Sequence, residues 1–287
     1  MDADVPQRAP LHRLTPVLDS PIGVFDSGVG GLSILHAIRR ELPGEDLMYV
    51  ADSANAPYGD RSESFIAERS DAIAAFLIDA GAKAIVVACN TASVVAIERL
   101  RSRSPVPVIA IEPAIKPASR KTTSGVIAVL ATTRTIASES VARLCAAHGR
   151  GVEILLQACP GLVEQVERAD LTSVETRSML AHYIAPLLKA GADTIVLGCT
   201  HYSFLSEAIR AVAGAEVVLV DPAIAVARQT AKRVGPVRSA ASSGRPAQAM
   251  FLSSSATREA NVVMSALWGR DVEAHSLPEG FGADVLR

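Results

Sequence analysis

Ala190-Gly191-Ala192-Asp193-Thr194-Ile195-Val196-Leu197-Gly198-Cys199-Thr200-His201 is the second appearance of one pattern. The first is Ala80-Gly81-Ala82-Lys83-Ala84-Ile85-Val86-Val87-Ala88-Cys89-Asn90-Thr91, and Ala, Gly, Ala, Ile, Val and Cys recur at the same places. Each copy reads as a buried strand, an apolar run rich in β-branched residues entered through a glycine. Each run ends in a cysteine followed by small polar residues. In an open α/β sheet that is the carboxyl end of a strand, where such sheets bind their ligands. One thiol is thus presented per half of the chain, and the remaining sequence reads as the means of bringing Cys89 and Cys199 face to face.

The flanking segments repeat as well. Ile22-Gly23-Val24-Phe25 runs into Asp26-Ser27-Gly28-Val29-Gly30-Gly31, and Gly125-Val126-Ile127-Ala128-Val129-Leu130 runs into Ala131-Thr132-Thr133-Arg134-Thr135. Ile111-Glu112-Pro113-Ala114-Ile115 is answered by Val220-Asp221-Pro222-Ala223-Ile224. Leu47–Val50, Pro107–Ile111 and Glu153–Leu156 read as further strands. Helices are expected from Leu32 to before Pro43, near Ser62–Ala80, from about Thr91 to Arg101, up to about His148, and over Ser173–Lys189. Strands alternating with helices at this pace imply βαβ units and parallel sheets. The fold class predicted is α/β, as two similar open parallel-sheet domains related by a pseudo-two-fold axis. The two Glu/Asp-Pro steps suit crossovers between them, since proline ends the element before it. Gly235–Gln248 reads as a loop, Met250–Leu252 as a strand and Arg258–Trp268 as a closing helix.

Composition narrows the class of function. At 287 residues and 49 % apolar content, the chain can bury one large core or two ordinary ones. A net charge of −2 gives no electrostatic reason for nucleic acid or an anionic membrane as a partner. Four cysteines without a C-x-x-C pair suit a reducing cytosol. Residues 1–20 carry Asp2, Asp4 and three prolines, unlike a secretory signal, and are expected to form a flexible arm. No apolar run approaches the ~20 residues of a membrane span.

Taken alone, a strand cysteine is usually a small buried hydrophobe. Here both thiols stand at equivalent strand ends, each before an expected helix N-terminus. Such a terminus favours a thiolate and can lower a thiol pKa from ~8.5 to roughly 3.5–7.5. The pair then offers either a disulfide couple, or a base and an acid on opposite faces of one carbon. The latter needs the ligand between them, each sulfur ~3–3.5 Å from the reacting centre. His201 makes a Cys-x-His step with Cys199, and Cys89 would be a third metal ligand, but no fourth soft ligand is placed. An imidazole orienting a thiol proton is the other reading of His201, and a satisfied core histidine the third.

The glycines of 28–31 suggest a phosphate loop. The dinucleotide fingerprint wants glycine where Ser33 stands, and no Gly-Lys-Ser/Thr is present. They are read instead as allowing a tight strand-to-helix turn. Asp26 stands at the strand end near Cys89, or serves as an N-cap. Asn90, Thr91, Thr132, Thr135 and Thr200 are amide and hydroxyl groups placed to hold carboxylates, although each alone is an ordinary cap. Glu164, following Pro160-Gly161 on a helix, would by itself be solvated. Few lysines are present and none follows a strand-end motif, so no pyridoxal Schiff base is indicated.

These motifs together resemble the glutamate racemases, over Ile22 to about Gly269. The matching residues are Gly23–Gly31, Ala51-Asp52-Ser53 through Pro57-Tyr58-Gly59, Ala88-Cys89-Asn90-Thr91-Ala92-Ser93, and Leu197-Gly198-Cys199-Thr200-His201-Tyr202. The resemblance implies two α/β domains with the active site in the cleft between them. The first would comprise 21–113 plus 223–270, the second 114–222, with 271–287 a tail. It implies a cytoplasmic isomerase using neither cofactor nor metal, homodimeric, and making D-glutamate for peptidoglycan. Cys89 and Cys199 would be the acid/base thiols, with Asp26 assisting Cys89, and His201 with nearby Glu164 assisting Cys199. Cys199 would attack L-glutamate and Cys89 D-glutamate. Asp26, Ser27, Tyr58, Gly59, Asn90, Thr91, Thr200 and His201 would bind the substrate, with Thr132 and Thr135 from the second domain. Ala131 stands where the family usually has glycine and Ser203 where it has proline; neither removes a functional group, so activity is expected to survive both. The competing readings are a racemase of aspartate or another amino acid, a non-catalytic acidic amino-acid binding protein, and a thiol redox protein.

Overall fold

The computed structural model describes residues 18–235, 244–278 and 281. The expected arm over 1–20 and the loop over 235–248 lie largely outside the described residues. Two parallel sheets carry the fold. The first is built from β1 (Ile22–Asp26), β2 (Leu47–Ala51), β3 (Ala84–Val87), β4 (Val108–Ala110), and two late strands, β9 (Ala249–Ser253) and β10 (Ala274–Ser276). The second contains β5 (Val126–Ala131), β6 (Glu153–Ala158), β7 (Thr194–Leu197) and β8 (Val218–Val220). The order β2-β1-β3-β4 in the first is repeated as β6-β5-β7-β8 in the second. Every residue of β1, β2, β3 and β7 is buried, as expected of strands covered on both faces.

In each sheet the chain leaves the central strand in one direction and returns on its other side. A crevice therefore opens at the carboxyl ends of β1 and β3, and likewise of β5 and β7. The register makes the two equivalent. Ala88 N–H donates to Phe25 O at 2.8 Å, and Gly198 N–H donates to Leu130 O at 2.7 Å. Each cysteine is the next residue, so Cys89 emerges beside Asp26-Ser27 and Cys199 beside Ala131-Thr132. Gly198 is required here: a Cβ would lie 2.8 Å from Leu130 O.

Helices complete the layers. α1 (Leu32–Glu41), α10 (Ala223–Val234) and α11 (Thr257–Trp268) are associated with one face of the first sheet; α2 (Glu63–Asp79) and α3 (Asn90–Arg103) cover the other. After β8 the chain returns, α10 packing on α1 and β9 pairing with β2. α4 (Ile115–Ser119), α6 (Glu139–His148), α7 (Leu162–Glu167), α8 (Val174–Lys189) and α9 (Ser206–Ala213) are associated with the second sheet. Among the described residues no helix is long and apolar enough to cross a membrane.

Three local expectations need correction. The helix expected to run to His148 is broken into α5 (Thr133–Ile136) and α6, because Ser138 is extended and its hydroxyl caps the new helix at Val141 N–H. Cys199 is followed by a 3₁₀ turn over Thr200–Leu205 before α9, so only Cys89 sits at the start of a full helix. Beyond residue 270 the chain forms β10, the edge strand of the first sheet, and Phe281 packs edge-on against Phe76.

The loop after β2 is anchored by a buried ion pair. Arg69 on α2 donates to both oxygens of Asp52 (Nη2 2.7 Å, Nε 3.0 Å), and Tyr58 Oη and Asn55 Nδ2 donate to the same carboxylate at 2.6 and 3.0 Å. Burial would raise the Asp52 pKa, but the Arg69 and Tyr58 hydrogen bonds outweigh it and hold the carboxyl below its usual range. Arg69→Met is expected to destabilise the fold by about 3–5 kcal/mol, because it leaves a buried carboxylate unpaired. Urea unfolding at neutral pH measures this; a loss under 1 kcal/mol would show that the pair is not desolvated as described.

Candidate active site

The cleft between the two sheets is closed by contacts from the second domain onto the glycine loop of the first. Glu167, the last residue of α7, accepts from Val29 N–H at 2.8 Å and from Ser53 Oγ at 3.3 Å. Thr200 Oγ1 donates to Asp26 Oδ2 at 3.1 Å, and Ser33 Oγ donates to Thr200 O at 3.1 Å. These approaches explain the glycines. A Cβ at Gly28 would lie 1.8 Å from Glu167 Oε1, and one at Gly30 would lie 2.2 Å from His201 Nδ1. None of Gly28, Gly30 and Gly31 has positive φ. The expected tight turn is present, with Leu32 N–H donating to Val29 O and Ser33 N–H to Gly30 O. Gly28 and Gly30 in addition make room for second-domain side chains to reach the backbone, while Gly31 packs against Asp26 and Tyr49 of the first domain.

Cys89 and Cys199 line one narrow cavity between the domains, of about 10 Å³, room for about one water molecule. Ser27, Tyr58, Gly59, Asn90, Thr91, Thr132, Thr200 and His201 line it too, as do Pro57 and Val163. A larger ligand enters only if the domains part. Asn90 is the group most plainly awaiting one: it is 2 % exposed, and neither its amide nitrogen nor its oxygen has a hydrogen-bond partner. A buried amide with both ends free is costly unless a ligand satisfies it.

Thr91 Oγ1 meets Thr132 Oγ1 at 3.0 Å and Thr135 Oγ1 at 3.3 Å, and Thr132 Oγ1 donates to Thr135 Oγ1 at 2.9 Å. The three hydroxyls join the domains at the cavity wall. Thr135 is fully buried behind the other two, so it orients Thr91 and Thr132 rather than facing the cavity. Asp26 also stands behind the wall, accepting from Ser27 N–H at 2.8 Å and Gly31 N–H at 2.5 Å. Its carboxyl pKa is raised, by burial first, against the lowering pull of His201.

The two thiols differ in their surroundings. Cys89 is the N-cap of α3, its sulfur accepting from Ala92 N–H at 3.4 Å and lying 3.6 Å from Ser27 Oγ. The helix terminus does not make it a thiolate: burial, and then the neighbouring Asp26, push its pKa well above the ordinary thiol value. This reverses the expectation for Cys89, which is held as a neutral S–H. Cys199 has no helix cap and instead faces His201, Sγ to Nδ1 at 3.7 Å. Nε2 of the same ring lies 2.6 Å from Glu167 Oε1, and Gly30 N–H approaches it at 3.3 Å. The shorter, charge-assisted contact places the proton on Nε2 and directs Nδ1 toward the sulfur. Burial would lower the His201 pKa, but the hydrogen bonds to Cys199 and Glu167 prevail and raise it well above the usual imidazole value.

The acidic partner of His201 is thus Glu167, not Glu164. Glu164 lies one turn earlier on α7, and it is Glu167, at the helix end, that projects across the cleft. Val163, on the same short helix, gave no sign of its place in the sequence beyond being apolar. Among the described residues no group of three or more His, Cys, Asp or Glu side chains converges as metal ligands do.

A family model described as Asp/Glu/Hydantoin racemase matches residues 22–230. The glutamate racemase of Pseudomonas aeruginosa PAO1 is 46 % identical over 254 residues, 88 % of this chain and 96 % of that protein. That of Methylococcus capsulatus is 46 % identical over 265 residues, 92 % and 98 % of the two chains. The crystal structure of Escherichia coli glutamate racemase in complex with L-glutamate and activator UDP-MurNAc-Ala superposes with a TM-score of 0.80 at 33 % identity, covering 90 % of this chain and 98 % of that one. The Francisella tularensis enzyme in complex with D-glutamate gives 0.76 at 26 % identity, covering 90 % and 97 %. With the family model spanning both sheets and relatives of this identity matching nearly end to end, the chain belongs to the Asp/Glu/hydantoin racemase family.

Proposed function

We propose that this protein interconverts L- and D-glutamate by proton transfer between two cysteines on opposite faces of Cα. The observation that carries the proposal is the pairing of Cys89 and Cys199 across one cavity, from equivalent ends of duplicated strands. The near-complete match to glutamate racemases supports glutamate over aspartate as the substrate. By the same relationship, the D-glutamate formed would supply peptidoglycan synthesis, in the cytoplasm and from a homodimer.

The surroundings of the thiols suit the L-to-D direction. Cys199, beside the His201 imidazolium, takes the Cα proton of L-glutamate as a thiolate. The electron pair left on Cα spreads into the α-carboxylate as an enediolate. Cys89, held as a neutral thiol, gives its proton to the opposite face and becomes the thiolate. The D-to-L direction runs the same transfers in reverse.

A Cα–H beside a carboxylate is a very weak acid, and positioned acid–base groups supply only ~10²–10⁴ in rate. Holding substrate between the sulfurs adds up to ~7–11 kcal/mol of proximity. Donors aimed at the developing enediolate supply the rest. Asn90, whose amide is unpaired, is the ready donor at the cavity wall; the hydroxyls of Thr91, Thr132 and Thr200 turn from their present partners to reach the substrate, and closure of the domains keeps water from competing with them.

The direct test is incubation of either glutamate enantiomer in D₂O without added cofactor. Each is expected to yield the racemate with deuterium at Cα, while aspartate remains unchanged. Bound glutamate that keeps its Cα–H would reduce the protein to a binding module, and equal turnover of aspartate would broaden the substrate class.

A further inference from the structure

We propose that Arg134 is a positioning residue that straps the mouth of the cleft through Glu63, setting how tightly the domains close on substrate. This rests on the racemase reading for its substrate, but the strap itself stands on contacts outside the cavity. Arg134 lies on α5, between the site residues Thr132 and Thr135. Glu63 is the first residue of α2, directly after the loop that brings Tyr58 and Gly59 to the cavity. Arg134 Nη1 meets Glu63 Oε1 at 3.5 Å, so the pair joins the substrate-facing segment of one domain to that of the other. The backbones are close at the same place: a Cβ on Gly59 would lie 3.1 Å from Thr132 Cβ.

The form of the pair fits a strap rather than a fixed bolt. Glu63 is 76 % exposed and Arg134 28 %, and the contact is single, leaving the buried Nε of Arg134 without a partner. The pair itself lines a separate interdomain cavity of about 320 Å³, together with Val94 and Val95 of α3, Ser138, Ser140 and the Arg143–Glu139 pair. The domains are therefore not packed solid beside the strap, and two long side chains can keep hold over a range of openings. Substrate must pass a cleft that closes to about one water's width. A weak, solvent-facing attraction at its rim favours the closed arrangement without locking it.

Arg134→Ala and Glu63→Gln are each expected to raise KM for glutamate by up to about fivefold, the ceiling for an exposed pair, with kcat changed less. Wild-type KM is expected to rise with added salt toward the variants' value, which should itself be salt-insensitive. The exchanged pair, Glu63→Arg with Arg134→Glu, should restore KM. A wild-type KM in both single variants, or an exchanged pair no better than either, would overturn the strap. A wild type without racemase activity would instead overturn the substrate reading. The strap is then read by amide hydrogen exchange at 58–62 and 132–136 in unliganded protein: faster exchange in Arg134→Ala supports it, and unchanged exchange overturns it.

Discussion

In Cys89→Ser and in Cys199→Ser, racemisation from either enantiomer is expected to fall by about 10³-fold or more, within the range that positioned acid–base groups contribute. A serine hydroxyl is far too weak an acid to replace a thiol as donor, and its conjugate base is not available near neutral pH. Because every turnover of the proposed mechanism needs one sulfur to take a proton and the other to give one, loss of either sulfur blocks both directions. The residual chemistry should nevertheless be one-sided. With Cys89 replaced, Cys199 still faces L-glutamate, so slow Cα deuterium exchange is expected in L-glutamate without inversion. With Cys199 replaced, the exchange should appear in D-glutamate instead. Chiral chromatography with mass detection in D₂O reads both effects. Full racemisation by either variant would rule out the two-thiol mechanism, and exchange of the opposite enantiomer would reverse the assignment of faces.

What the sequence made legible was what repeats. A β-branched run ending in cysteine occurs twice, and with the paired Pro steps it leads to two parallel sheets whose equivalent strand ends face each other. The misreadings at the site concern tertiary neighbours, where residues far apart in sequence meet. Glycines at 28 and 30 read as turn residues, which they are, but carry no mark of the docking surface they also provide; only the positions of Glu167 and His201 show it. A helix N-terminus before a cysteine says that the sulfur can be stabilised as an anion. It does not say that burial beside Asp26 outweighs the helix at Cys89, or that the second cysteine meets a 3₁₀ turn and an imidazole in its place. Thr135 has the right chemistry for substrate but lies one layer too deep, behind Thr91 and Thr132.

Glu164 and Glu167 separate most sharply the site read from sequence from the site built by the fold. They stand three residues apart on one short helix, a spacing that puts them on nearly the same face. Glu167→Gln keeps the length of the side chain and an oxygen able to accept from His201 Nε2–H and Val29 N–H; it removes the charge and the second oxygen, which accepts from the hydroxyl of Ser53. That charge helps hold the His201 pKa up. Without it the imidazolium is lost at lower pH, and Cys199 loses the cation beside it. The expected result is a kcat about 10²-fold lower near neutral pH, with the alkaline limb of the kcat/KM profile moved to lower pH. Glu164→Gln should leave kcat/KM within about twofold of wild type, since no contact links Glu164 to the ring. A pH–rate profile of each variant decides between them. Equal losses in both would mean that α7 supports the site through its packing, and a larger loss at Glu164 would return the role to the residue first singled out in the sequence.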